Sequence, residues 1–370
     1  MPNLARTWVE ISGSAIRHNL QVVQGLVGPG TSLSPVVKAN AYGHGMLEVA
    51  QSLKNAKIWG LSVAYGSEAL ALIQAGFRGK ILVLTYWEPA ELPMLARHGV
   101  HIAIYDFTTL AMARSYEQRT GKQVHVHLKL DTGTSRIGFL PTDIRRLHNI
   151  MLQRRFDLSG IFSHLANAEE PTPSRTIEQL GQFDNMRQTL GLSAAVTHIA
   201  CTAAIVRYPS SRYTMARLGL GLYGLWPSPA TRAARRPSAR GDLRPALEWK
   251  SVLAQVKTVP AGTGIGYGST VTVKKKTVVG TVPVGYADGY DRSLSNRGWV
   301  MVGGQQAPVL GRVCMNMFMV NLNRLKKPRP GQQVTLLGPG YTADDMAAHA
   351  STISYEVISR ISPLIPRQRV

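Results

Sequence analysis

The chain predicts an α/β fold, with an N-terminal (β/α)₈ TIM-like barrel followed by a C-terminal mainly β domain. Three observations carry that reading. Short apolar runs alternate with amphipathic stretches from about residue 14 to 225; the segment 227–245 is rich in Pro, Ala, Arg and Ser; and short β-branched strands divided by Gly and Pro follow it. A length of 370 residues corresponds to about two average domains. With 44% hydrophobic and 17% charged residues, the composition is that of a packed globular protein and not of a disordered one.

The apolar runs fall in order at 33–37, 58–63, 81–84, 101–104, 124–130, 158–163 and 196–200, with helix-like stretches such as 67–75, 108–119 and 178–190 between them. Seven or eight strand–helix units in about two hundred residues suit a closed barrel better than an open sheet. The segment 227–245 has no apolar period and reads as a linker or exposed loop. Beyond it SVLAQVKTV, STVTVKKKTVVGTVPV, APVLGRV, MFMVNL and QQVTLLG read as strands, and 343–360 regains helical spacing. The expected domains are a barrel over 11–238 and a β domain over 239–370 that also takes in an N-terminal strand, 1–10, and carries a second candidate base.

The charge balance is uneven: 42 Lys and Arg against 21 Asp and Glu leave +21. That could attract a polyanion. The basic residues are spread along the chain, however, and the clusters at 232–244 and 274–276 carry no interleaved aromatic groups for base stacking. A solvated basic surface is expected, with no nucleic-acid partner. Cys201 and Cys314 show no zinc-site spacing, so no metal is expected, and two thiols suit a reducing compartment. No apolar run reaches the roughly 18 residues of a membrane-spanning helix, so a cytoplasmic protein without a membrane partner is expected.

Lys38 carries the first chemistry. In SPVVKANAYGHG an apolar strand runs into a lysine and then a Gly-containing polar loop. In a barrel this places the amine at the carboxyl end of a strand, where reacting groups project. Partial desolvation would lower its pKa and free a neutral amine as a Schiff-base nucleophile. Position alone also fits a surface lysine snorkelling from a strand end. The run from His125 to Asp131 alternates: His125, His127, Lys129 and Asp131 share one face and Val126, Leu128 and Leu130 the other. In a barrel the polar face lines the lumen, so Lys129 points into a basic interior near Arg136 and needs a compensating negative charge.

The stretch VVKANAYGHG resembles the cofactor-lysine segment of the alanine racemases, which use pyridoxal 5′-phosphate (PLP). The resemblance runs through TWVEISGSAIRHNL, KLDTGTSRIGF, FSHLANAE, ARLGLGLYG, GIGYGST, VGYADGYDR, GRVCMN and ISYEVISRIS, covering nearly the whole chain. It implies an isomerase that interconverts L- and D-alanine and supplies D-alanine for peptidoglycan, acting as a homodimer with shared sites. It further implies that Lys38 holds PLP as an internal aldimine and serves as one base, while Tyr267 serves as the other and reaches the partner subunit's cofactor. A dinucleotide loop at GTGIGYG is excluded because β-branched residues follow it where a helix is required. The resemblance places Arg217 on the pyridine nitrogen and His164 against the ring. The backbone N–H groups of Gly219 and Leu220 fall on the phosphate, with the hydroxyls of Tyr42, Thr202 and Tyr355. Arg136 and the backbone N–H of Met315 fall to the substrate carboxylate, and Lys129 to a carbamate.

Two positions depart from the family text. Cys201-Thr202 stands where Asn-Ser is usual, and Asn316 stands where aspartate is usual; DTGTSRIGF also differs from DTGMGRLGF. Thr keeps a hydroxyl, whereas Cys loses an amide's hydrogen-bonding capacity. These changes leave side-chain preference open. Three other readings remain: a racemase of serine, lysine or several amino acids, a related barrel decarboxylase, and a PLP- or polyanion-binding protein of weak activity.

Overall fold

A computed structural model describes residues 5–152, 157–235 and 240–370. The chain forms two compact units, one of Ile16–Ala39 with Ala50–Arg244, the other of the remaining residues. Strand β1 (Thr7–Ile11) belongs to the second unit. The first unit holds β2 (Ser32–Pro35), β3 (Leu61–Val63), β4 (Ile81–Val83), β5 (His101–Ile104), β6 (His125–Lys129), β7 (Asp157–Phe162), β8 (Val196–His198) and β9 (Met215–Leu218).

Strands β3 to β8 form one parallel sheet in chain order, and β2 pairs in parallel with β9. A parallel bridge between Val36 and Ser62 joins β2 to β3. On the other side the Arg217 N–H donates to the Ala200 carbonyl at 3.0 Å, beside β8 and β9. Eight parallel strands therefore close into a barrel, as the alternation predicts. Helices Gly66–Gln74, Leu92–Arg97, Phe107–Thr120, Ile144–Leu152, Ser174–Leu190 and Thr202–Arg207 fill the crossovers. Their ends follow local chemistry. Asp106 accepts from the Thr109 N–H at 2.7 Å to start one helix, and Gly121 at φ 68° stops it.

The face assignment on β6 holds. Val126, Leu128 and Leu130 are fully buried on the helix-facing side, while His127 and Lys129 are buried on the lumen side. The His127 ring lies edge-on to Trp59 and Phe162 at centroid distances of 5.6 and 6.4 Å. Gly160 on β7 makes room for it, because a Cβ there would stand 2.2 Å from His127 Nδ1.

The second unit adds β10 (Leu247–Val252), β11 (Gln255–Val259), β12 (Gly264–Ile265), β13 (Val271–Thr272), β14 (Thr277–Val282), β15 (Trp299–Val302), β16 (Gln305–Leu310), β17 (Phe318–Asn321), β18 (Gln333–Leu337) and β19 (Arg367–Arg369). Nine of its strands run in the order β11-β14-β17-β16-β15-β18-β10-β1-β19, and β12 and β13 form a separate antiparallel pair. The strand β1 pairs antiparallel with β10 and parallel with β19. Trp249, Tyr290 and Phe318 anchor the core, the last two stacked at 4.4 Å.

Several local expectations differ from the structure. The run 251–259 is two strands, and so is 269–284. The helical spacing over 343–360 is broken into Ala343–Ala350 and Ser354–Ser359 by Ser351, which takes φ 57°. Within 227–245 the segment Pro229–Ala233 is helical, because Ser228 caps it by accepting from the Thr231 N–H; residues 236–239 lie outside the described residues. The packing at Gly160 generates a first prediction. Gly160→Ala forces the His127 ring or its strand to move, with an expected cost of about 1–3 kcal/mol, read as a lowered Tm by calorimetry.

Candidate active site

Every predicted site residue of the first unit lies at or just past the carboxyl end of a barrel strand, where parallel barrels present reacting groups. Lys38 follows β2, Lys129 closes β6, Arg136 follows it, His164 follows β7, Thr202 opens the helix after β8, and Arg217 in β9 precedes Gly219 and Leu220.

Lys38 has a lowered pKa. Burial contributes most, and the Arg136 and Arg217 charges add to it, while Glu68 opposes them. Glu68 also fixes the start of the next turn, since its Oε1 accepts from the Ala39 N–H at 2.7 Å. That turn is left-handed: Ala39, Asn40, Ala41 and Tyr42 all take φ of 52–53°. Left-handed backbone costs a residue with a Cβ about 1–2 kcal/mol, so four in succession form a strained segment beside the amine. Nothing in the text KANAY signals it.

Lys129 is 3% exposed, and its pKa is brought down to about 7 by burial and by Arg217 and Arg136, against the pull of Asp131. Asp131 has other duties. Its Oδ1 accepts from the N–H groups of Gly133, Thr134 and Ser135 at 2.9, 3.0 and 3.2 Å, and Oδ2 from that of Arg136 at 3.2 Å. The carboxylate thereby folds the loop that carries Arg136.

Arg217 is 4% exposed. Its Nη1 donates to His198 Nδ1 at 2.6 Å, and its Nη2 donates to the Ser163 and Ile199 carbonyls at 2.8 and 3.1 Å and to His164 Nδ1 at 3.2 Å. Burial and the neighbouring cations hold His164 and His198 neutral, well below the usual imidazole pKa. The Thr202 hydroxyl accepts from the N–H groups of Gly219 and Gly221 at 3.2 and 3.3 Å. Cys201 precedes that helix without a side-chain cap, and burial raises its thiol pKa.

The second unit carries the other predicted residues. Tyr42 and Tyr355 have ring centroids 6.1 Å apart. Gly43 at φ 81° lies so close to the helix Ser354–Ser359 that a Cβ would stand 1.9 Å from the Ile358 carbonyl oxygen. Tyr267 sits between Gly266 and Gly268, at φ 70° and 71°, and is 72% exposed. The short strand β13 follows it and no helix does, which agrees with excluding a dinucleotide loop. Met315 is 55% exposed, and its carbonyl accepts from the Ala287 N–H at 3.0 Å. Asn316 is exposed beside it. The structure thus gathers Lys38, Lys129, Arg136, His164 and Arg217 into one electrostatic neighbourhood, and assigns Tyr42, Tyr355, Tyr267 and Met315 to the other unit. Sequence reasoning missed His198, whose only signal is a histidine ending an otherwise ordinary strand.

A partly desolvated lysine amine among guanidinium groups at the carboxyl end of a parallel barrel marks a class: a parallel-barrel enzyme with its site at the strand ends. Comparison with known proteins specifies it. Residues 11–227 match the alanine racemase N-terminal domain, and residues 246–369 match the alanine racemase C-terminal domain. The chain belongs to the alanine racemase family, isomerases that interconvert L- and D-alanine. It is 35% identical to the alanine racemase of Carboxydothermus hydrogenoformans over 97% of this chain and 98% of that protein. It is 32% identical to that of Methanococcus maripaludis over 97% of each. The alanine racemase structure from Clostridium difficile 630 superposes with a TM-score of 0.92 at 33% identity, covering 99% of this chain and 96% of that one. The E. faecalis structure gives 0.91 at 33% identity over 100% of both.

The site's electrostatics can be tested directly. Because the Arg136 charge lowers the pKa of both lysines, Arg136→Gln should raise both. The expected result in competitive amine labelling of the ligand-free protein is later titration of Lys38 and Lys129, with surface lysines unmoved.

Proposed function

We propose that the chain racemises alanine with PLP bound at Lys38, using Lys38 and Tyr267 as the two acid/base groups. The observation that carries this reading is Lys38 at the barrel end, its amine pKa lowered by desolvation and by the Arg136 and Arg217 charges. PLP fits what the barrel end offers. An aldehyde needs an uncharged amine, which the lowered pKa of Lys38 favours, and anionic phosphate and phenolic oxygens need the cations and N–H donors gathered there. In this reading the barrel, expected over 11–238, binds the cofactor. The phosphate falls to the backbone N–H groups of Gly219 and Leu220 and the hydroxyls of Thr202, Tyr42 and Tyr355. His164 would lie against the ring.

When bound, PLP withdraws electrons from the substrate and makes its α-proton removable. The chain supplies the rest. Racemisation needs the proton taken from one face and returned on the other, so an amine and a phenol on opposite faces suffice. Arg217 offers hydrogen-bond donors and keeps its proton, so the ring nitrogen stays unprotonated and reprotonation at Cα is favoured over transamination. Arg136 and the Met315 N–H hold the substrate carboxylate. A carbamate on Lys129 would put a negative charge among Arg136, Arg217 and Lys38, and a pKa of about 7 leaves enough neutral amine to form it. The exposure of Tyr267 and Met315 supports a homodimer in which a second copy covers them. D-Alanine as product suits peptidoglycan synthesis in the cytoplasm.

Chiral analysis of L-alanine incubated with the holoenzyme tests the activity, and a panel of L-amino acids tests preference at Cys201 and Asn316. Lys38→Ala should abolish racemisation and the cofactor's absorbance band. Tyr267→Phe should slow proton transfer by about 10²–10⁴-fold. Mixing these two inactive variants should restore about a quarter of wild-type activity through mixed dimers with one intact site; no recovery refutes shared sites. For Lys129, the carbamate signal from ¹³C-bicarbonate should grow as pH rises through about 7, where the amine loses its proton. Lys129→Ala should lack it.

A further inference from the structure

A row of histidines crosses the barrel lumen and ends on Arg217. His198 Nε2 lies 3.0 Å from His127 Nδ1, and His127 Nε2 lies 3.1 Å from His101 Nδ1. The three come from β8, β6 and β5, and none is sequence-adjacent to another. His127 and His198 are fully buried and His101 nearly so. Around them lie Trp59, 4.9 Å from the His101 ring, and Phe162, stacked at 4.8 Å on His198. Aliphatic side chains could fill such a lumen without any polar group to satisfy, so the row calls for a reason.

Donor accounting supplies it. A guanidinium has only N–H donors, so His198 Nδ1, at 2.6 Å from Arg217 Nη1, must accept. His198 is then neutral, carries its proton on Nε2 and donates to His127 Nδ1. His127 in turn carries its proton on Nε2 and donates to His101 Nδ1. One donor-only cation therefore fixes three tautomers in a single direction. Reversing any member would set two N–H groups, or two lone pairs, face to face. The row has a built seat, since Gly160 gives up its side chain where the His127 ring lies. Its far end stacks on His125 at 4.8 Å, and His125 Nδ1 meets Asp157 at 2.5 Å. Among the described residues no group of three or more His, Cys, Asp or Glu side chains is arranged to hold a metal ion. Burial and the Arg217 charge favour the neutral rings that this arrangement needs.

We propose that His101, His127 and His198 form a tautomer-locked hydrogen-bonded chain that positions the Arg217 guanidinium, with His127 and His101 acting as positioning residues through His198. The consequence for the reaction rests on the reading that Arg217 faces the cofactor's ring nitrogen; the tautomer order does not.

The test is ¹⁵N NMR of histidine-labelled holoenzyme, combined with His127 variants. In the wild type all three rings should show the neutral Nε2–H pattern through neutral pH. His127→Leu removes the acceptor for His198 Nε2–H while Arg217 still faces Nδ1, so His198 should keep its Nε2 proton but lose the shift of a hydrogen-bonded Nε2–H, and His101, without its donor, should no longer be held to one tautomer. The ratio of racemisation to abortive transamination should fall about two- to tenfold, the size of a lost hydrogen bond between neutral groups. His127→Asn places an amide oxygen where Nδ1 was and should restore both readouts, while His127→Gln, whose amide reaches toward Nε2, should not. A wild-type Nδ1–H tautomer at His127 or His198 overturns the proposal, and this measurement decides it even where the Leu variant does not fold. It is overturned equally if His127→Leu leaves both the signals and the ratio unchanged. If instead Arg217→Glu leaves the ratio unchanged, the ring-nitrogen reading fails, and the tautomer result stands or falls by itself.

Discussion

A guanidinium buried at the carboxyl end of the barrel sets the terms for everything near it. Arg217 can only donate, so each group it meets must accept, and the Ser163 and Ile199 carbonyls and two imidazole nitrogens do. Those acceptors come from the ends of β7 and β8, which fixes how the two strand ends lie beside β9. The same positive charge reaches further through the low-dielectric lumen. It lowers the pKa of Lys38 and Lys129 and keeps His164 and His198 neutral. Desolvation is the larger cause at each of these groups, and the fixed cation adds to it in the same direction.

The left-handed turn after Lys38 is the complementary device. Four residues with side chains in that region are unfavourable wherever they occur, so the segment persists only where its surroundings determine it. Its beginning is held by Glu68, whose two oxygens accept the Ala39 and Ala64 N–H groups at 2.7 Å. Past its end, the Arg367 guanidinium donates to the Gly43 carbonyl at 3.0 and 3.2 Å, and the Gly45 N–H returns to the Asn40 carbonyl at 2.9 Å. A strained turn gripped at both ends has little freedom to relax, which limits the paths open to the lysine it follows.

What the sequence made legible follows from what periodicity can register. Seven barrel strands fall within or beside short stretches rich in apolar residues, so they stand out as runs, and 101–104 coincides with β5. The eighth, Met215–Leu218, carries Arg217 in its middle and does not read as apolar; the residue that hid the strand is the one that matters most. Lys38, Arg136 and Arg217 were legible because each sits in a distinctive local text. The left-handed turn was not, since Ala-Asn-Ala-Tyr lacks the glycines that usually mark such backbone. The histidine row escaped for another reason: its members lie on separate strands and meet only once the barrel closes. Alternation put His127 on the lumen face, but nothing in one strand says what stands opposite.

The departures at Cys201 and Asn316 can be weighed against this arrangement. Cys201 is half-buried just before Thr202, yet the contact made there with the N–H groups of Gly219 and Gly221 comes from the Thr202 hydroxyl, which the departure keeps. Asn316 lies on an exposed segment of the other unit, remote in the chain from every group that sets the lysine pKa values. Neither change alters the cation that governs the barrel end, because Arg217 draws its partners from β7, β8 and the residues just after them. Substitutions that leave a donor-only group and its acceptors in place also leave in place its share in lowering the lysine pKa values. Variation at 201 and 316 therefore leaves the guanidinium and its acceptors at the barrel end as they are.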